Sequence, residues 1–350
     1  MIIINNYKLF NFFLKYYYKY NIILLIDVYI YKYYIKYILN NIYNKYIYKY
    51  IYILKIKNSE KYKNIYTCIK IINKLNKKKI NKKSLLINIG GGVISDLGGF
   101  IASIYKRGIY NFNIPTTLLS MIDASIGGKN GINLSFLKNE IGTFYKPKII
   151  FINNIFLSTL NKKNIISGIA EIIKYGLIFN YKLLLLIINN YKFNFNNNKW
   201  KKIIKLSIKI KLKIIKKDYK DNNVRKILNY GHTIGHAIET FFLIKNINLL
   251  HGESIALGFI YESYISYKKK FLSKTKYIYI KNIILKIYKY LYKYIYIIKK
   301  NYYIIINYMY NDKKNFNKKI NFNILKNINQ CIYNIVLNKK IIKKTLYINI

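Results

Sequence analysis

The sequence predicts an α/β N-terminal domain with a Rossmann-like parallel sheet, followed by an all-α C-terminal domain. Short apolar runs alternate with helical patterns in the first half, and one run ends abruptly at Gly90-Gly91-Gly92. After Leu160 the pattern changes to long amphipathic helices with few strand signals. Such a change is typical of a doubly wound sheet followed by a helical domain. We therefore divide the chain into residues 1–157 and 158–350.

The N-terminal elements follow from their local patterns. Strands are predicted where short aliphatic and β-branched runs occur, at Ile22–Ile26, Ile51–Ile56 and Leu85–Ile89. Helices are predicted at Lys61–Asn73 and Asp96–Tyr105, where the apolar spacing is helical. This βαβ order favours parallel strands within one sheet.

The C-terminal elements are predicted from apolar residues that recur with the period of a helix. Helices are expected at Lys162–Ile178, Lys201–Lys217, Arg225–Phe241, Gly252–Lys269 and Tyr277–Lys299. The second domain is therefore expected to be a helical assembly.

The composition is dominated by residues whose codons are rich in A and T, including 41 Tyr. The net charge is +50, from 62 Lys+Arg and 12 Asp+Glu. Because lysine is scattered through every segment, we interpret the charge as a solvated surface and expect no specific nucleic-acid partner. The hydrophobic content of 53% excludes disorder along the whole chain.

No membrane segment or secretory signal is expected. Charged residues such as Asp27 and Lys32 interrupt the apolar runs, well before the ~18 residues that a transmembrane helix needs. The start, Met1–Phe13, lacks a basic leader and a small-residue cleavage site. Cys68 and Cys331 are too far apart in sequence to indicate a metal knuckle or a disulfide framework. We therefore expect a cytoplasmic protein without a membrane partner.

Glycine, proline and histidine are rare here, so their positions are the most informative. All 16 glycines lie from Gly90 to Gly258, and both prolines, Pro115 and Pro147, lie in the same window. Glycine is needed where the backbone takes positive φ or is approached closely. We therefore expect the functional geometry in this window and interpret the two flanks as scaffold.

The triplet Gly90-Gly91-Gly92 follows a predicted strand and precedes a helical stretch. A glycine turn that opens a helix presents backbone N–H groups and the positive end of the helix dipole to a diphosphate. The turn is therefore a candidate dinucleotide site. The alternative is a tight turn with nothing bound.

A second group of motifs suggests an anion pocket. It comprises Pro115–Ser120, Asp123–Lys129 with its Gly127-Gly128 pair, and Lys138-Asn139. Lysine supplies point charge and glycine supplies access to an anion. Lysine is abundant in this chain, so it is the placement beside the glycines that distinguishes these lysines from solvated ones.

The third group consists of all three histidines, His232, His236 and His251. His232 and His236 have the i, i+4 spacing that puts both on one face of a helix. Imidazoles suit a zinc-like divalent ion, and Glu171 is a candidate carboxylate ligand because acidic residues are scarce. The alternative is three structural histidines with satisfied hydrogen bonds.

Together these motifs resemble the 3-dehydroquinate synthase family. The resemblance rests on motifs in the family's order and spacing, and they are Gly90–Val93 with Asp96, Tyr105–Gly108, Pro115–Leu119, Asp123–Lys129, Lys138–Gly142, Gly168–Gly176, Arg225–Ala237 and His251–Glu253. They extend over about Glu60 to Lys314, most of the chain.

The resemblance implies conversion of the small-molecule substrate 3-deoxy-D-arabino-heptulosonate 7-phosphate to 3-dehydroquinate and phosphate, a lyase reaction of the shikimate pathway. It also implies NAD and a divalent metal, usually zinc and alternatively cobalt. Residues 1–157 would then be the NAD-binding domain and 158–350 the metal- and substrate-binding domain. A homodimer is expected because dimers are common in the family.

The resemblance also assigns roles residue by residue. The metal ligands would be Glu171, His232 and His251, with His236 on the substrate phosphate side. Arg107, Lys129, Asn139 and Lys314 match positions around the phosphate, and Lys211 and Arg225 match positions that hold the carboxylate. Asp123, Lys138, Lys174 and Asn229 match further substrate positions. The positions that line NAD match Asp27, Glu60, Lys63, Gly91, Gly92, Asp96, Thr116, Thr117 and Thr159, and Lys129 and Lys138 are expected beside them.

Four positions depart from the family pattern. Ser95 stands where glycine is common, Asn130 where threonine is common, Leu137 where glycine is common, and Tyr29 where a polar ribose contact is usual. None of the four removes a metal ligand or a principal cation.

Two other functions compete with this interpretation. One is another NAD- and metal-dependent sugar phosphate cyclase or a polyol dehydrogenase, which the contexts of Lys138-Asn139 and Arg225…Asn229 disfavour. The other is a decayed enzyme that acts as a basic RNA-binding protein.

Overall fold

The computed structural model describes residues 1–42, 51–135, 137–191, 195, 197–310 and 320–348. The chain forms two compact units, Met1–Leu160 and Asn161–Ile350. The division lies close to the boundary expected between residues 157 and 158.

The described residues of the N-terminal unit form strands and helices in alternation. The strands are β1 (Ile2–Ile4), β2 (Asn21–Asp27), β3 (Ile51–Ile56), β4 (Ser84–Gly90), β5 (Tyr110–Pro115), β6 (Lys129–Leu134), β7 (Leu137–Phe144) and β8 (Ile149–Phe151). The helices are α1 (Tyr7–Lys15), α2 (Val28–Ile42), α3 (Ile65–Lys77) and α4 (Gly92–Ile104).

A parallel sheet is the centre of this unit, in the strand order β1-β8-β5-β4-β2-β3. β4 is buried along its whole length, and β2 is buried from Ile22 to Asp27. Continuous apolar strands of this kind are typical of parallel sheets covered on both faces. The predicted parallel α/β fold is therefore confirmed.

The sheet has a topological switch point beside β2. This strand pairs with β3 on one side and with β4 on the other, so consecutive crossovers run in opposite directions. The carboxyl ends of β2 and β4, at Asp27 and Gly90, consequently lie on neighbouring strands. In open α/β sheets, ligands bind outside the carboxyl ends of the strands at such a point.

The antiparallel hairpin of β6 and β7 was not predicted from the sequence. It pairs Lys129 with Phe144 and Gly131 with Gly142. The hairpin carries Lys129 at the start of β6 and Lys138-Asn139 in β7, so the basic residues of the predicted anion motifs lie on one element.

The described residues of the C-terminal unit are mostly helical. The helices are α5 (Lys162–Ile178), α6 (Tyr181–Asn190), α7 (Asn198–Lys217), α8 (His232–Ile244), α9 (His251–Lys268), α10 (Lys274–Ile287), α11 (Tyr292–Lys300), α12 (Tyr302–Tyr310) and α13 (Lys339–Leu346). The helical prediction is confirmed, with one departure from an all-α unit. An antiparallel hairpin is formed by β9 (Asn321–Asn327) and β10 (Gln330–Val336).

Two predicted helices of the C-terminal unit are interrupted in the structure. Arg225–Phe241 is a 3₁₀ turn over Val224–Asn229 followed by α8, because Gly231 takes φ 79° and ends the first segment. Tyr277–Lys299 breaks at Tyr288, whose buried hydroxyl donates to Ile166 O at 2.8 Å. Both breaks depend on tertiary contacts rather than on local apolar spacing.

Two further expectations concern membranes and cysteine. None of the helices in the described parts of the chain has the length and apolar character that a bilayer span requires. Cys68 and Cys331 are free thiols. Burial raises the pKa of the Cys68 thiol to about 12, so this residue behaves as a small apolar core side chain.

Candidate active site

The glycine turn joins β4 directly to α4. Gly91 is the residue before the helix, and α4 begins at Gly92. The predicted start at Asp96 was therefore late by one turn. A Cβ at Gly91 would lie 2.6 Å from Asn58 Nδ2 and 3.1 Å from Thr117 Cγ2, so side chains approach this backbone closely. The N–H groups that open α4 are of the kind that bind anions at helix N-termini.

Asp27 lies at the end of the neighbouring strand. Its Oδ1 accepts hydrogen bonds from the backbone N–H groups of Asn58, at 3.2 Å, and Tyr29, at 3.4 Å. Burial raises the pKa of this carboxyl, and the backbone hydrogen bonds oppose the rise only in part. Thr116 N donates to Gly90 O at 2.9 Å. Asp27, Gly91, Thr116 and Thr117 thus lie around the switch point of the sheet.

A charged network lies beside this turn. Lys63 is 4% exposed, and its Nζ contacts Asp96 Oδ2 at 2.6 Å and also Asn139 Oδ1. Glu60 Oε2 accepts from Asn133 Nδ2 at 2.8 Å, while Asn133 Oδ1 accepts from Asn139 N at 3.0 Å. The structure therefore links four predicted residues through Asn133, which the sequence interpretation missed because asparagine is common throughout the chain.

Thr159 is held beside the helix that follows β2. The Tyr29 hydroxyl donates a hydrogen bond to Thr159 O at 3.2 Å, and Tyr34 Oη lies 3.0 Å from Thr159 Oγ1. Tyr29 is half-exposed.

The predicted phosphate-side cations of this unit have exposed side chains. Arg107 follows α4 in a turn where Lys106, Arg107 and Gly108 have φ of 50°, 61° and 110°. Lys129 and Lys138 are exposed on the β6–β7 hairpin. Asp123 is partly buried in a π-helical turn over Ser120–Ala124. Arg107, Lys129 and Lys138 remain candidate contacts of an anion, and Asp123 remains a candidate contact elsewhere on the substrate.

The departures from the family pattern have local structural roles. Ser95 Oγ donates to Gly91 O at 3.3 Å, which ties it to the glycine turn. Asn130 Nδ2 donates to Tyr145 O at 2.9 Å across the hairpin. Leu137 begins β7, so its backbone is part of the ladder.

The three histidines of the C-terminal unit form one cluster. Their ring centroids lie 5.2 Å (His232 to His236), 5.6 Å (His232 to His251) and 5.6 Å (His236 to His251) apart. One nitrogen from each ring lies within 4.8 Å of the others. Glu171, 1% exposed on α5, places Oε1 3.5 Å from His232 Nε2 and Oε2 against Lys174 Nζ.

Close packing of α8 on α9 brings these rings together. A Cβ at Gly258 would lie 2.0 Å from Gly231 O, so only glycine permits this approach of the two backbones. Glu262, fully buried on α9, accepts hydrogen bonds from Gly231 N at 2.7 Å and Ile234 N at 3.3 Å. This carboxylate caps the start of α8 and thereby fixes His232, the first residue of that helix.

The start of α9 is fixed in a similar way. Gly252 N donates to Ser167 Oγ at 3.0 Å, and a Cβ at Gly252 would lie 1.9 Å from Ser167 O. Glu253 accepts from Leu250 N at 2.7 Å and from the Tyr290 hydroxyl at 2.5 Å. His251, the first residue of α9, is therefore set against α5.

The hydrogen bonds behind the rings suit a metal site. Tyr230 O lies 3.0 Å from His232 Nδ1, and Glu239 Oε2 lies 3.2 Å from His251 Nδ1. Both oxygens can accept, and the tautomer that places the proton on each Nδ1 leaves the lone pair of each Nε2 available to a metal. Zinc binds nitrogen and oxygen ligands at about 2.0–2.1 Å, so two ligand atoms of a tetrahedral site lie about 3.3 Å apart. Glu171 Oε1 and His232 Nε2 have a similar separation of 3.5 Å. The residues present fit a divalent metal.

The remaining candidates of this unit are buried basic side chains and one amide. Lys174, Lys211 and Arg225 are each at most 5% exposed, and Asn229 is partly buried in the 3₁₀ turn. Arg225 Nη1 donates to Tyr219 O at 2.6 Å. Lys314 lies outside the described residues.

Asp218 organises the loop before Arg225 and was not predicted. Its carboxylate accepts from the backbone N–H groups of Asn222, Asn223 and Arg225 at 3.1, 2.7 and 3.0 Å. Burial alone would raise the pKa of Asp218, but these hydrogen bonds hold it below its usual value. The scarcity of acidic residues, which indicated Glu171, could also have indicated Asp218 and Glu239.

Solved structures share this fold. A 2-deoxy-scyllo-inosose synthase complexed with carbaglucose-6-phosphate, NAD+ and Co2+ has a TM-score of 0.79 at 22% identity, covering 99% of this chain and 95% of that one. The 2-epi-5-epi-valiolone synthase ValA from Streptomyces hygroscopicus subsp. jinggangensis 5008, with NAD+ and Zn2+ bound, has a TM-score of 0.78 at 20% identity, covering 94% and 91%. At these identities the likeness concerns the fold alone.

Sequence comparison identifies the family. The profile of the 3-dehydroquinate synthase N-terminal region matches residues 53–167, and that of the C-terminal region matches residues 168–315. A 3-dehydroquinate synthase of Campylobacter jejuni strain RM1221 is 43% identical over 241 residues, 67% of this chain and 68% of that protein. The chain therefore belongs to the 3-dehydroquinate synthase family.

Proposed function

We propose that this chain converts 3-deoxy-D-arabino-heptulosonate 7-phosphate to 3-dehydroquinate and phosphate, as an NAD- and metal-dependent lyase. The observation that carries the proposal is the cluster of Glu171, His232 and His251, with Nδ1 of both imidazoles bonded to acceptors. Such a donor set on rigid helices leaves coordination positions for substrate oxygens.

Glu171, His232 and His251 would hold the metal, and His236 would face the substrate beside it. A metal held there would supply a Lewis acid for the substrate hydroxyls, and bound NAD would supply the hydride acceptor and donor. Lys174, in contact with Glu171, supplies a buried cation close to the reacting hydroxyls. Its place on α5, one turn after Glu171, fixes this charge relative to the cluster.

The switch point of the N-terminal unit would hold NAD. Gly91 and Gly92 present the start of α4 to the diphosphate, and Asp27 supplies a carboxylate acceptor for hydroxyl groups. The remaining residues assigned to this cofactor are Glu60, Lys63, Asp96, Thr116, Thr117 and Thr159, with Lys129 and Lys138 beside them. The network of Lys63, Asp96 and Asn139 keeps this region ordered.

Cations would hold the two anionic ends of the substrate. Arg107, Lys129, Asn139 and Lys314 are assigned to the phosphate, while Lys211 and Arg225 are assigned to the carboxylate. Asp123, Lys138 and Asn229 complete the assigned substrate contacts. Fixed charges of this kind select one reactive geometry and stabilise the charge that develops as phosphate leaves.

A cytoplasmic homodimer is part of the same proposal, and sedimentation velocity measures its oligomeric state.

The direct test supplies the purified chain with the heptulosonate phosphate, NAD+ and Zn2+. We expect release of phosphate and formation of 3-dehydroquinate in equal amounts, with both lost when a chelator removes the metal. Phosphate release without the carbocyclic product would contradict the assignment.

The solved cyclases make a related sugar phosphate cyclase the second candidate. A panel of phosphorylated sugars separates the two, because turnover of another sugar phosphate in preference to the heptulosonate would favour the second candidate. Salt-sensitive RNA binding without turnover of any sugar would instead favour the decayed-enzyme interpretation.

A further inference from the structure

We propose that Glu239 is a positioning residue that orients His251 and strengthens it as a metal ligand. This inference rests on the metal site of the proposed function and extends it to a residue outside the ligand set. Glu239 is buried on α8, whereas His251 opens α9.

α8 presents Glu239 on the face that carries the histidines. His232, His236 and Glu239 follow one another at i, i+4 and i+7, which places them along one side of the helix. The carboxylate therefore reaches across to α9, where its Oε2 lies 3.2 Å from His251 Nδ1. The side chain of His251 is 31% exposed, and that of Glu239 is 9% exposed. The hydrogen bond is therefore anchored by Glu239, the more buried of the two side chains.

The two proposed imidazole ligands are held by different acceptors. His232 Nδ1 meets a backbone carbonyl, Tyr230 O, whereas His251 Nδ1 meets a carboxylate. A carboxylate behind an imidazole fixes the tautomer and the ring orientation and raises the basicity of the other nitrogen. His251, the more exposed ring, thereby receives the stronger acceptor.

The position of the rings explains why this charge is useful. His232 and His251 are the first residues of α8 and α9, so the positive ends of two helix dipoles lie near the cluster. Those dipoles disfavour a bound cation. The carboxylates of Glu171 and Glu239 supply negative charge at the same place.

The test compares metal binding by the full-length protein and three variants. Glu239→Met keeps the length of the side chain but removes the acceptor, and Glu239→Gln restores an acceptor without charge. Tyr290→Phe is the matched control, since it removes a 2.5 Å hydrogen bond to Glu253 near the same helix start but touches no imidazole. The readouts are the dissociation constants of Zn2+ and Co2+, from competition with a chromophoric chelator, and the visible spectrum of bound Co2+.

We expect Glu239→Met to weaken metal binding by about 10–100-fold and to shift the cobalt bands. Glu239→Gln should recover part of the affinity, and Tyr290→Phe should bind metal as the unaltered protein does. Equal affinities and identical cobalt spectra for Glu239→Met and the unaltered protein would overturn the inference. If Glu239→Met fails to fold, Glu239→Asp supplies the same comparison, because its carboxylate is one methylene farther from the ring.

The experiment distinguishes a wrong metal site from a wrong role for Glu239. If the unaltered protein binds no stoichiometric Zn2+ or Co2+, the metal site of the proposed function is wrong and this inference falls with it. If the unaltered protein binds metal and Glu239→Met binds it equally well, only the role of Glu239 is wrong.

Discussion

Two aspartates, one in each unit, have pKa values shifted in opposite directions. Asp27, in the N-terminal unit, is buried at a strand end and has a raised pKa. Asp218, in the C-terminal unit, accepts three backbone hydrogen bonds and has a lowered pKa. Glu262 likewise receives two backbone N–H groups.

The difference agrees with the proposed role of Asp27 as a cofactor contact and with the role of Asp218 in supporting a loop. A carboxylate whose charged form is disfavoured in the folded protein costs stability, which a site tolerates when a ligand uses the charge. Carboxylates that cap loops and helix starts instead stabilise the fold. The proposed cofactor site of the N-terminal unit would thus use bare backbone and strand ends, whereas the proposed metal site of the C-terminal unit would use braced side chains.

The largest expected effect comes from removing a ring of the histidine cluster. His232→Ala and His251→Ala should each lose bound metal and all measurable turnover, because the remaining ligands cannot hold the ion. NAD+ titration should be unchanged, since the glycine turn belongs to the other unit. Metal content by atomic absorption and NAD+ binding by calorimetry check the two halves of this prediction. Full metal occupancy in the double variant would show that the ligands lie elsewhere.

Gly91→Val tests the N-terminal unit, because it should weaken NAD+ binding and leave metal binding unchanged. A side chain at Gly91 would press on Asn58 Nδ2 and Thr117 Cγ2, at the place where the diphosphate approaches. We expect NAD+ affinity to fall about tenfold, which is ~1.4 kcal/mol, with metal content unchanged. An unaltered NAD+ titration would mean that the turn is purely structural.

Lys129→Ala tests whether specific lysines differ from abundant ones. Lys129 should contact the substrate phosphate, so its loss should lower kcat/KM by about 10–30-fold, or ~1.5–2 kcal/mol for a charged hydrogen bond. The control replaces Lys77, Lys78 and Lys79 with Gln, at the exposed end of α3. That variant should keep its turnover and lose non-specific polyanion binding. Equal losses of turnover in both variants would indicate that lysines act through a diffuse electrostatic field and that Lys129 does not belong to a specific anion pocket.

The smallest effects concern stability and have opposite signs in the two units. The Asp27 pKa is raised above 3.8, so its charge destabilises the fold increasingly as pH rises through the raised value. Asp27→Asn should therefore raise Tm at neutral pH. The Asp218 pKa is lowered below 3.8, so its contribution is fully present above that value and is lost as pH falls through the lowered one.

Asp218→Asn should consequently lower Tm at neutral pH and remove part of the acid sensitivity below about pH 4. Thermal unfolding followed by circular dichroism from pH 3 to pH 8 measures both variants. Shifts of the same sign for Asp27→Asn and Asp218→Asn would remove the distinction between the two kinds of carboxylate.

The sequence by itself determined the fold class and the family. Apolar runs predicted β3 and α5 with the observed bounds, Ile51–Ile56 and Lys162–Ile178. Because the codon bias favours residues such as lysine and tyrosine, the few glycines and histidines are informative. We infer that they remain where backbone approach or ligand chemistry requires them. Local periodicity and residue type carry this information without reference to distant parts of the chain.

Only the tertiary structure decided where α8 begins and what supports the histidines. Gly231 takes positive φ and a Cβ there would lie 2.4 Å from the Phe259 ring, a contact that local apolar spacing does not encode. The pairings of Glu262 with the start of α8 and of Glu239 with His251 likewise join neighbouring helices. Such contacts depend on how closely two helices pack, because a hydrogen bond is set by tenths of an ångström that sequence spacing does not specify.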